Sequence, residues 1–339
     1  MRVHYLIVII LFSCCKSEIK KIINLKNKFK LDLALDEYKP VIYDGKVFIV
    51  ANGNNIVGIN TVTETLEFDY WETGGIHEFS MDNSIIAFVG KNWKLKVLDV
   101  SISDSSWVFD ALPSVSTNVI IEGTKVYFGT IDCHIYCVDI TKRKIDWKYD
   151  VKDRIGNDIV VSKDYVYIRF SKNWLLSLSK ATGNENLSIK RDQDYFSLSV
   201  LNDNLILTEK FHIAGLESKS LEENWRVSTS ILPSPFAIDK GIIYARVARD
   251  SMSATEIKSG KELWRRDIDY SMFNPLIGLN DDLYVIGEQT ITVVDNYNGE
   301  TLFKYNTKDK FRAQPMLYDS VIYCGGFRYF EPVKIYYAE

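Results

Sequence analysis

Apolar and polar residues alternate in short runs along most of the chain, and the runs recur. From Lys125 to Val151 the sequence KVYFGTIDCHIYCVDITKRKIDWKYDV alternates, turns, alternates again, turns, and ends on a run containing Trp147. Period-two runs bounded by polar turns predict β-strands. The apolar pair Val126-Tyr127 has counterparts at Val47-Phe48, Ile86-Ala87, Val166-Tyr167, Leu205-Ile206, Ile243-Tyr244, Leu283-Tyr284 and Ile322-Tyr323. The steps between first residues are 39, 40, 40, 39, 38, 40 and 39. Eight pairs so regularly spaced define an internal repeat.

Within each unit the run after the pair leads through a polar turn to an aromatic or large apolar residue. Trp107, Trp147, Trp225 and Trp264 fill this slot, with Phe303, Leu187 and Phe68 in the remaining complete units. Each unit therefore reads as four short strands: in the third unit, an inner one at Asn118 to Ile121, a second at Val126 to Gly129, a third at Ile135 to Asp139 and an outer one near Trp147. A period near 40 with four strands per unit predicts an all-β fold, a β-propeller of four-stranded antiparallel blades. One blade cannot cover both of its apolar faces, so neighbours must stack. The aromatic of the outer strand is expected to dock one blade on the next.

Seven units are complete, and the eighth, from Ala313 to Glu339, lacks an outer strand. The alternating segment Lys28 to Leu35 is the candidate to complete it, which predicts an eight-bladed propeller whose last blade is closed by an N-terminal strand and leaves no open edge. A seven-bladed ring with loose ends is the alternative. No Pro/Gly/Ser-rich linker interrupts the register, so residues 28–339 are expected to be a single domain.

The first residues stand apart. MRVHYLIVIILFSCC has a basic start at Arg2 and an apolar run from Tyr5 to Phe12 that is short for a bilayer span and fits a signal-peptide core. Leu11-Phe12-Ser13-Cys14 resembles a bacterial lipobox, with Leu three positions before the cysteine and a small residue just before it. The resemblance implies a lipoprotein signal over residues 1–14, with Cys14 as the lipidated terminus, a tether over 15–27, and export to the cell envelope, at the outer membrane. An ordinary secretory signal with incidental cysteines is the alternative.

Composition changes the picture little. The chain has 339 residues, an apolar fraction of 46% and a net charge of −4, without the basic excess that duplex binding requires. Nucleic acid is not an expected partner. Beyond the signal there are three cysteines, Cys133, Cys137 and Cys324. The first two lie four apart on one strand, about 13 Å at the usual rise, too far for a disulfide.

The closest copies of the repeat, VYFGTIDCHIYCVDITKRKIDW and SMSATEIKSGKELW, resemble the PQQ-like propeller repeat, with its TG turn kept as Thr182-Gly183, Ser259-Gly260 and Asn298-Gly299. With a lipobox and eight repeats, the chain is most similar to the BamB family of outer-membrane assembly lipoproteins. That resemblance implies a non-enzymatic, monomeric propeller that docks envelope proteins and carries no cofactor. Quinone-dependent dehydrogenases share the repeat. They are longer and use a calcium ion, a catalytic Asp and a vicinal disulfide, whereas the only adjacent cysteines here are Cys14 and Cys15, in the signal. A small-ligand binder, for a sugar or a quinone, is the second alternative.

No catalytic or metal-ligating motif emerges. His134 and His212 stand 78 apart, two periods, at one slot before the third strand, which reads as a turn position. Lys91-Asn92-Trp93 and Lys172-Asn173-Trp174 also repeat, in the turn between second and third strands, and read as Asn in the turn with the Trp tucked onto a neighbouring blade; exposed aromatics on one rim that grip a partner are the alternative. Candidate partner-binding residues lie on the rim made by the loops joining blades and the turns between second and third strands, and are of the Arg and aromatic types that anchor interfaces: Arg154, Tyr195, Tyr270, Phe273, Phe311, Arg312, Arg328 and Tyr329.

Overall fold

The computed structural model describes residues 19–24, 40–63, 65–102, 106–109, 112–171, 173–192, 195–201, 203–233, 236–267, 276–279, 282–286, 289–306, 316–318, 321–325 and 330–337. Its backbone forms eight four-stranded antiparallel sheets. Seven are built from four consecutive strands and define blades 1 to 7, spanning residues 41–71, 78–108, 120–150, 155–190, 195–228, 236–267 and 276–306. The eighth joins Met316–Tyr318, Val321–Gly325 and Phe330–Tyr337 to Ile19–Asn24 as its outer strand.

The second and third strands of a blade are nearly continuous apolar runs because both of their faces are covered. Lys46–Ala51 is buried at five of its six positions, and His134–Asp139 likewise. The apolar clusters lie between sheets rather than within them. Phe48, Val50 and Ile56 of blade 1 pack on Ile86, Phe88 and Leu98 of blade 2. Similar clusters join blades 2 and 3, 3 and 4, 4 and 5, 5 and 6, and 6 and 7. Successive sheets stacked face to face in chain order make a β-propeller.

Outer strands are mostly exposed and bury one residue in the middle. Trp147, Trp225 and Trp264 are that residue in blades 3, 5 and 6. Each indole Nε1 donates to a backbone carbonyl in the next blade: Trp147 to Lys180 at 3.0 Å, Trp225 to Ile257 at 2.6 Å and Trp264 to Asn296 at 2.6 Å. A register shift sits beside this residue in blades 1 and 3 to 7, for example where Trp147 pairs with Cys137 but Ile145 pairs with Val138. Such a bulge increases local twist and re-aims a side chain, here toward the neighbouring blade. The ring lands on a glycine in the left-handed region: a Cβ on Gly183, Gly260 or Gly299 would come within 2.6, 2.5 or 2.6 Å of Trp147, Trp225 or Trp264 respectively. The other slots differ. Trp107 is half-buried under the Arg143 guanidinium, 5.1 Å from the ring centre, and Phe303 is half-buried. In blade 4 the smaller Leu187 packs in a cluster containing Leu221, a left-handed residue buried where the glycine would stand.

Two sequence expectations need correction. The strand that completes the eighth sheet is Ile19–Asn24, which lies inside the stretch read as a tether over 15–27. The segment 28–35 expected in that role lies outside the described residues. The reason is local. Ile19 pairs with Tyr337 and Lys21 with Tyr336, so Lys20 is an extra residue on one strand. A bulge there destroys the period-two signature in IKKIIN, and the lysines make the run look like a solvated linker. The inner strand of blade 3 is Ile120–Glu122, two residues later than expected at its start.

Candidate functional site: the connection rim and the channel mouth

The topology gives the propeller two unlike rims. One carries the tight turns between inner and second strands and between third and outer strands. The other, the connection rim, carries the turns between second and third strands and the segments leading from each outer strand to the next blade. Longer segments there are freer to vary, and function concentrates on such loops.

The predicted rim residues are placed as follows. Arg154 is exposed on the connection between blades 3 and 4, its backbone held by a bond from its N–H to Asp153 Oδ1 at 2.6 Å and one from Ser171 N–H to its carbonyl at 2.9 Å. Tyr195 opens the inner strand of blade 5, opposite Glu209. Tyr270, Phe273, Phe311, Arg312, Arg328 and Tyr329 lie outside the described residues, as does Cys14. His134 and His212 each begin a third strand, paired with Asp150 and Ser228, as a turn-edge position requires. The two Lys-Asn-Trp copies diverge. Trp174 is half-buried and stacked on Phe170 at 5.8 Å, whereas Trp93 stays exposed and stacks on His77 at 4.0 Å with the planes 10° apart.

Sequence reasoning missed most of what this rim exposes. Trp71, Ile131, Phe211 and Leu232 are all exposed on it, alongside Trp93. The available signal was an apolar residue at a turn position where polarity is expected, as in Thr130-Ile131-Asp132 and Lys210-Phe211-His212. Beneath these side chains the rim is braced by buried charges. Glu72 and Arg191 stand four residues after Phe68 and Leu187, in the same slot of blades 1 and 4. Glu72 is buried and accepts from Lys96 Nζ at 2.8 and 2.7 Å and from the Lys91 N–H at 3.3 Å. Arg191 donates to Glu209 at 3.0 and 2.8 Å and to Glu223 at 2.6 Å. Arg226 and Arg191 together hold the Glu223 carboxyl down at about 2. Burial opposes the charge on Arg191, but its bonds to Glu223 and Glu209 outweigh it and raise its pKa.

At the axis the inner strands present a second set. The slot eight residues before each strand marker holds Glu78, Asn118, Asp158 and Ser197 in blades 2 to 5. Asn118 bridges blades: its Nδ2 donates to the Ile159 carbonyl at 3.0 Å, and its Oδ1 accepts from the Ile159 N–H at 2.7 Å. Ser197 Oγ is 2.8 Å from Thr208 Oγ1. Burial raises the Glu78 carboxyl to about 7, with the charge of Asp158 adding to the effect. Burial also raises Asp158, opposed by the Arg169 guanidinium. Glu78 begins the inner strand of blade 2 and Asp158 lies in that of blade 4, with blade 3 between them. The residue types in this slot vary, so no repeating motif pointed to it.

A cleft of about 600 Å³ opens on the opposite rim between blades 3 and 4, lined by Lys125, Tyr127, Cys137, Asp146, Lys163 and Lys180 among others. Lys125 there is engaged by Asp139 at 2.9 Å and by Asp146, and Lys180 by Glu122 at 2.5 Å and the Ser162 carbonyl at 2.9 Å. Burial pushes the Cys137 thiol up to about 12, so it is a packing group rather than a nucleophile. Among the described residues no group of three or more His, Cys, Asp or Glu side chains is placed to hold a metal ion. The arrangement is suited to recognition by shape, stacking and charge.

Comparison with known proteins fits this geometry. Residues 209–323 match the family described as outer membrane protein assembly factor BamB. The repeat is PQQ-like. No curated protein sequence matches the chain. Among solved structures, BamB from Moraxella catarrhalis superposes with a TM-score of 0.72 at 15% identity, covering 93% of this chain and 98% of that one. The computationally designed Ika8 protein gives 0.73 at 14% identity, covering 90% and 98%. A quinohemoprotein alcohol dehydrogenase from Comamonas testosteroni gives 0.69 at 11% identity, covering 90% of this chain and 75% of that one. At these identities the likeness is one of fold, shared by an assembly factor, a designed protein and an enzyme, and function has to be argued from the site.

Proposed function

We propose that this propeller is a lipid-anchored, non-catalytic docking scaffold of the bacterial cell envelope, at the outer membrane, which binds protein partners through its connection rim. The observation that carries the reading is the set of exposed apolar side chains on that rim, Trp71, Trp93, Ile131, Phe211 and Leu232, spread over blades 1 to 3 and 5 and the connection from blade 5 to blade 6. Exposed aromatics on a rigid frame, next to braced charges, have the composition of interface anchors. The match of residues 209–323 to the BamB description supports an envelope setting, and the lipobox-like Leu11 to Cys14 supports the anchor. No helix among the described residues is long and apolar enough to cross a membrane. Arg154 and Tyr195, with Tyr270, Phe273, Phe311, Arg312, Arg328 and Tyr329, are proposed to extend the same surface.

The test is cross-linking in the native envelope followed by mass spectrometry, on the parent protein and on a Trp93→Ala/Ile131→Ser/Phe211→Ala variant. The reading expects a protein adduct that the triple variant loses while its melting temperature stays within a few degrees of the parent. An adduct retained at full yield by the variant refutes it. A quinone absorbance band in the purified protein would refute the non-catalytic part.

A further inference from the structure

The outer strand of blade 8 fixes where the N-terminus leaves the propeller. Ile19 pairs with Tyr337 and Asn24 with Val333, so the strand Ile19–Asn24 begins at the tight-turn rim and runs toward the connection rim. Only five residue steps separate Cys14 from Ile19. A fully extended chain of that length reaches about 18 Å at most. An acyl group on Cys14 therefore holds the tight-turn rim at blade 8 close to the lipid.

In a closed propeller the eighth sheet lies between blade 7, which it contacts, and blade 1, and both blades carry an independent mark on the same rim. The turn between third and outer strands is built alike around the ring: a carboxylate or amide caps the second residue after it. Asn60 Oδ1 accepts from Val62 N–H at 2.9 Å, Asp139 Oδ1 from Thr141 N–H at 3.0 Å, Glu217 Oε2 from Lys219 N–H at 3.0 Å and Asp295 Oδ1 from Tyr297 N–H at 2.8 Å. That second position is Ser101, Thr141, Ala181, Lys219 and Lys258 in blades 2 to 6, but Val62 in blade 1 and Tyr297 in blade 7. Val62 is 87% exposed and Tyr297 70%, and they are the two most exposed large apolar side chains among the described residues. Ile102, next along in the corresponding turn of blade 2, is also exposed. Val62 and Tyr297 are large apolar residues in a slot that is small or polar in blades 2 to 6, and they stand on blades 1 and 7, the first and the last before the sheet whose outer strand leads back to Cys14.

We propose that the tight-turn rim at Val62, Ile102 and Tyr297, in blades 1, 2 and 7, is a lipid-contacting surface, with these side chains seated in the headgroup boundary of the membrane that holds Cys14. A tyrosine suits that place because its ring is apolar and its hydroxyl stays hydrated. The surface commits the propeller to one orientation: the connection rim, with Trp93 and Ile131, is held away from the lipid, where a soluble domain of a membrane protein can reach it. The inference rests on the anchoring of Cys14 proposed above.

The experiment places a benzophenone side chain at position 62, 297, 163 or 131 of the full chain, purified from the envelope and reconstituted in phosphatidylethanolamine–phosphatidylglycerol vesicles. Lys163 lies on the tight-turn rim in blade 4, and Ile131 on the opposite rim. After illumination, mass spectrometry reads the fraction of chain bearing a lipid adduct. The expected yields at 62 and 297 exceed that at 131 by tenfold or more and that at 163 severalfold. Equal yields at the four positions, or a maximum at 131, overturn the proposal, as does capture of protein rather than lipid by 62 and 297 in intact envelopes. A parallel arm uses Cys14→Ser with an N-terminal hexahistidine on nickel-chelating lipid. There the same ranking supports the lipid-contacting sector even if mass spectrometry finds native Cys14 unacylated, a result that refutes the anchor alone. Loss of the ranking in that arm overturns the sector whatever the state of Cys14.

Discussion

The contact between Trp225 and Gly260 offers a quantitative test of how the blades dock. Gly260 has φ +70°, and a Cβ there would sit 2.5 Å from Trp225 Cβ and Cγ. Ordinary carbon contacts are about 3.5–4.0 Å, so Gly260→Ala forces the indole or the turn to move by about 1 Å. The left-handed backbone costs alanine about 1–2 kcal/mol. The overlap adds about 1–3 kcal/mol, the usual range for overpacking. Trp225→Ala removes a side chain that is 8% exposed and bonded to the Ile257 carbonyl, and should cost about 3–5 kcal/mol. In the double variant the ring is gone, so the methyl group added by Gly260→Ala no longer meets Cγ and Cδ2, while its approach to the Cβ kept at position 225 and the backbone penalty are left. The double variant should therefore be less destabilised than the sum of the singles, by about 1–2 kcal/mol. Urea unfolding followed by fluorescence gives the three changes from midpoints at constant slope. Additivity within about 0.5 kcal/mol, the margin expected of independent sites, would refute the idea that the glycine is required by the ring above it. Leu187 and Leu221 supply a natural comparison, because where the outer-strand residue is smaller a left-handed leucine fills the same position.

Two further outcomes follow from the charges. Glu209→Gln should destabilise the fold by about 1–3 kcal/mol in urea unfolding, since it replaces the buried carboxylate beside Arg191 by a neutral amide while Glu223 stays paired, and Glu209→Gln/Arg191→Met should recover part of that loss. Glu78 should make stability fall as pH rises between about 4.5 and 7: its folded pKa lies above its unfolded value, so the folded state binds the extra proton, and the benefit is complete below the unfolded pKa and lost through the folded one. Melting temperatures measured across that window should slope downward from this group, and the Glu78→Gln variant should be flatter; an identical slope in both refutes the assignment.

The strand markers were legible because second and third strands are covered on both faces and must be apolar, so Val126-Tyr127 and its counterparts repeat in type as well as in place. The docking aromatics were legible for another reason, a single large residue recurring at one slot of otherwise polar outer strands, but their partners were not. Trp147 and Gly183 are 36 residues apart and Trp225 and Gly260 are 35 apart, and only stacked blades reveal that one sits on the other. The outer strand of blade 8 was hidden by the extra residue at Lys20, which breaks alternation at the point where the pattern is shortest. The channel-mouth residues were hidden differently. Glu78, Asn118, Asp158 and Ser197 share a position but not a chemistry, and Asn118 is recognisable as a bridge only when Ile159 of the next blade is alongside. The exposed Ile131 and Phe211 were passed over because single apolar residues in turns carry no period.

The central claim is that the strand Ile19–Asn24 and the C-terminal strand Phe330–Tyr337 share one sheet, closing the propeller and setting where the N-terminal segment leaves it. Hydrogen–deuterium exchange of the purified protein tests it most directly, read on a peptide spanning residues 16–26. Closure predicts that amides within Ile19–Asn24 exchange as slowly as those of Thr301–Asn306, the outer strand of blade 7. Full exchange of that peptide within seconds, while Thr301–Asn306 stays protected, would contradict it.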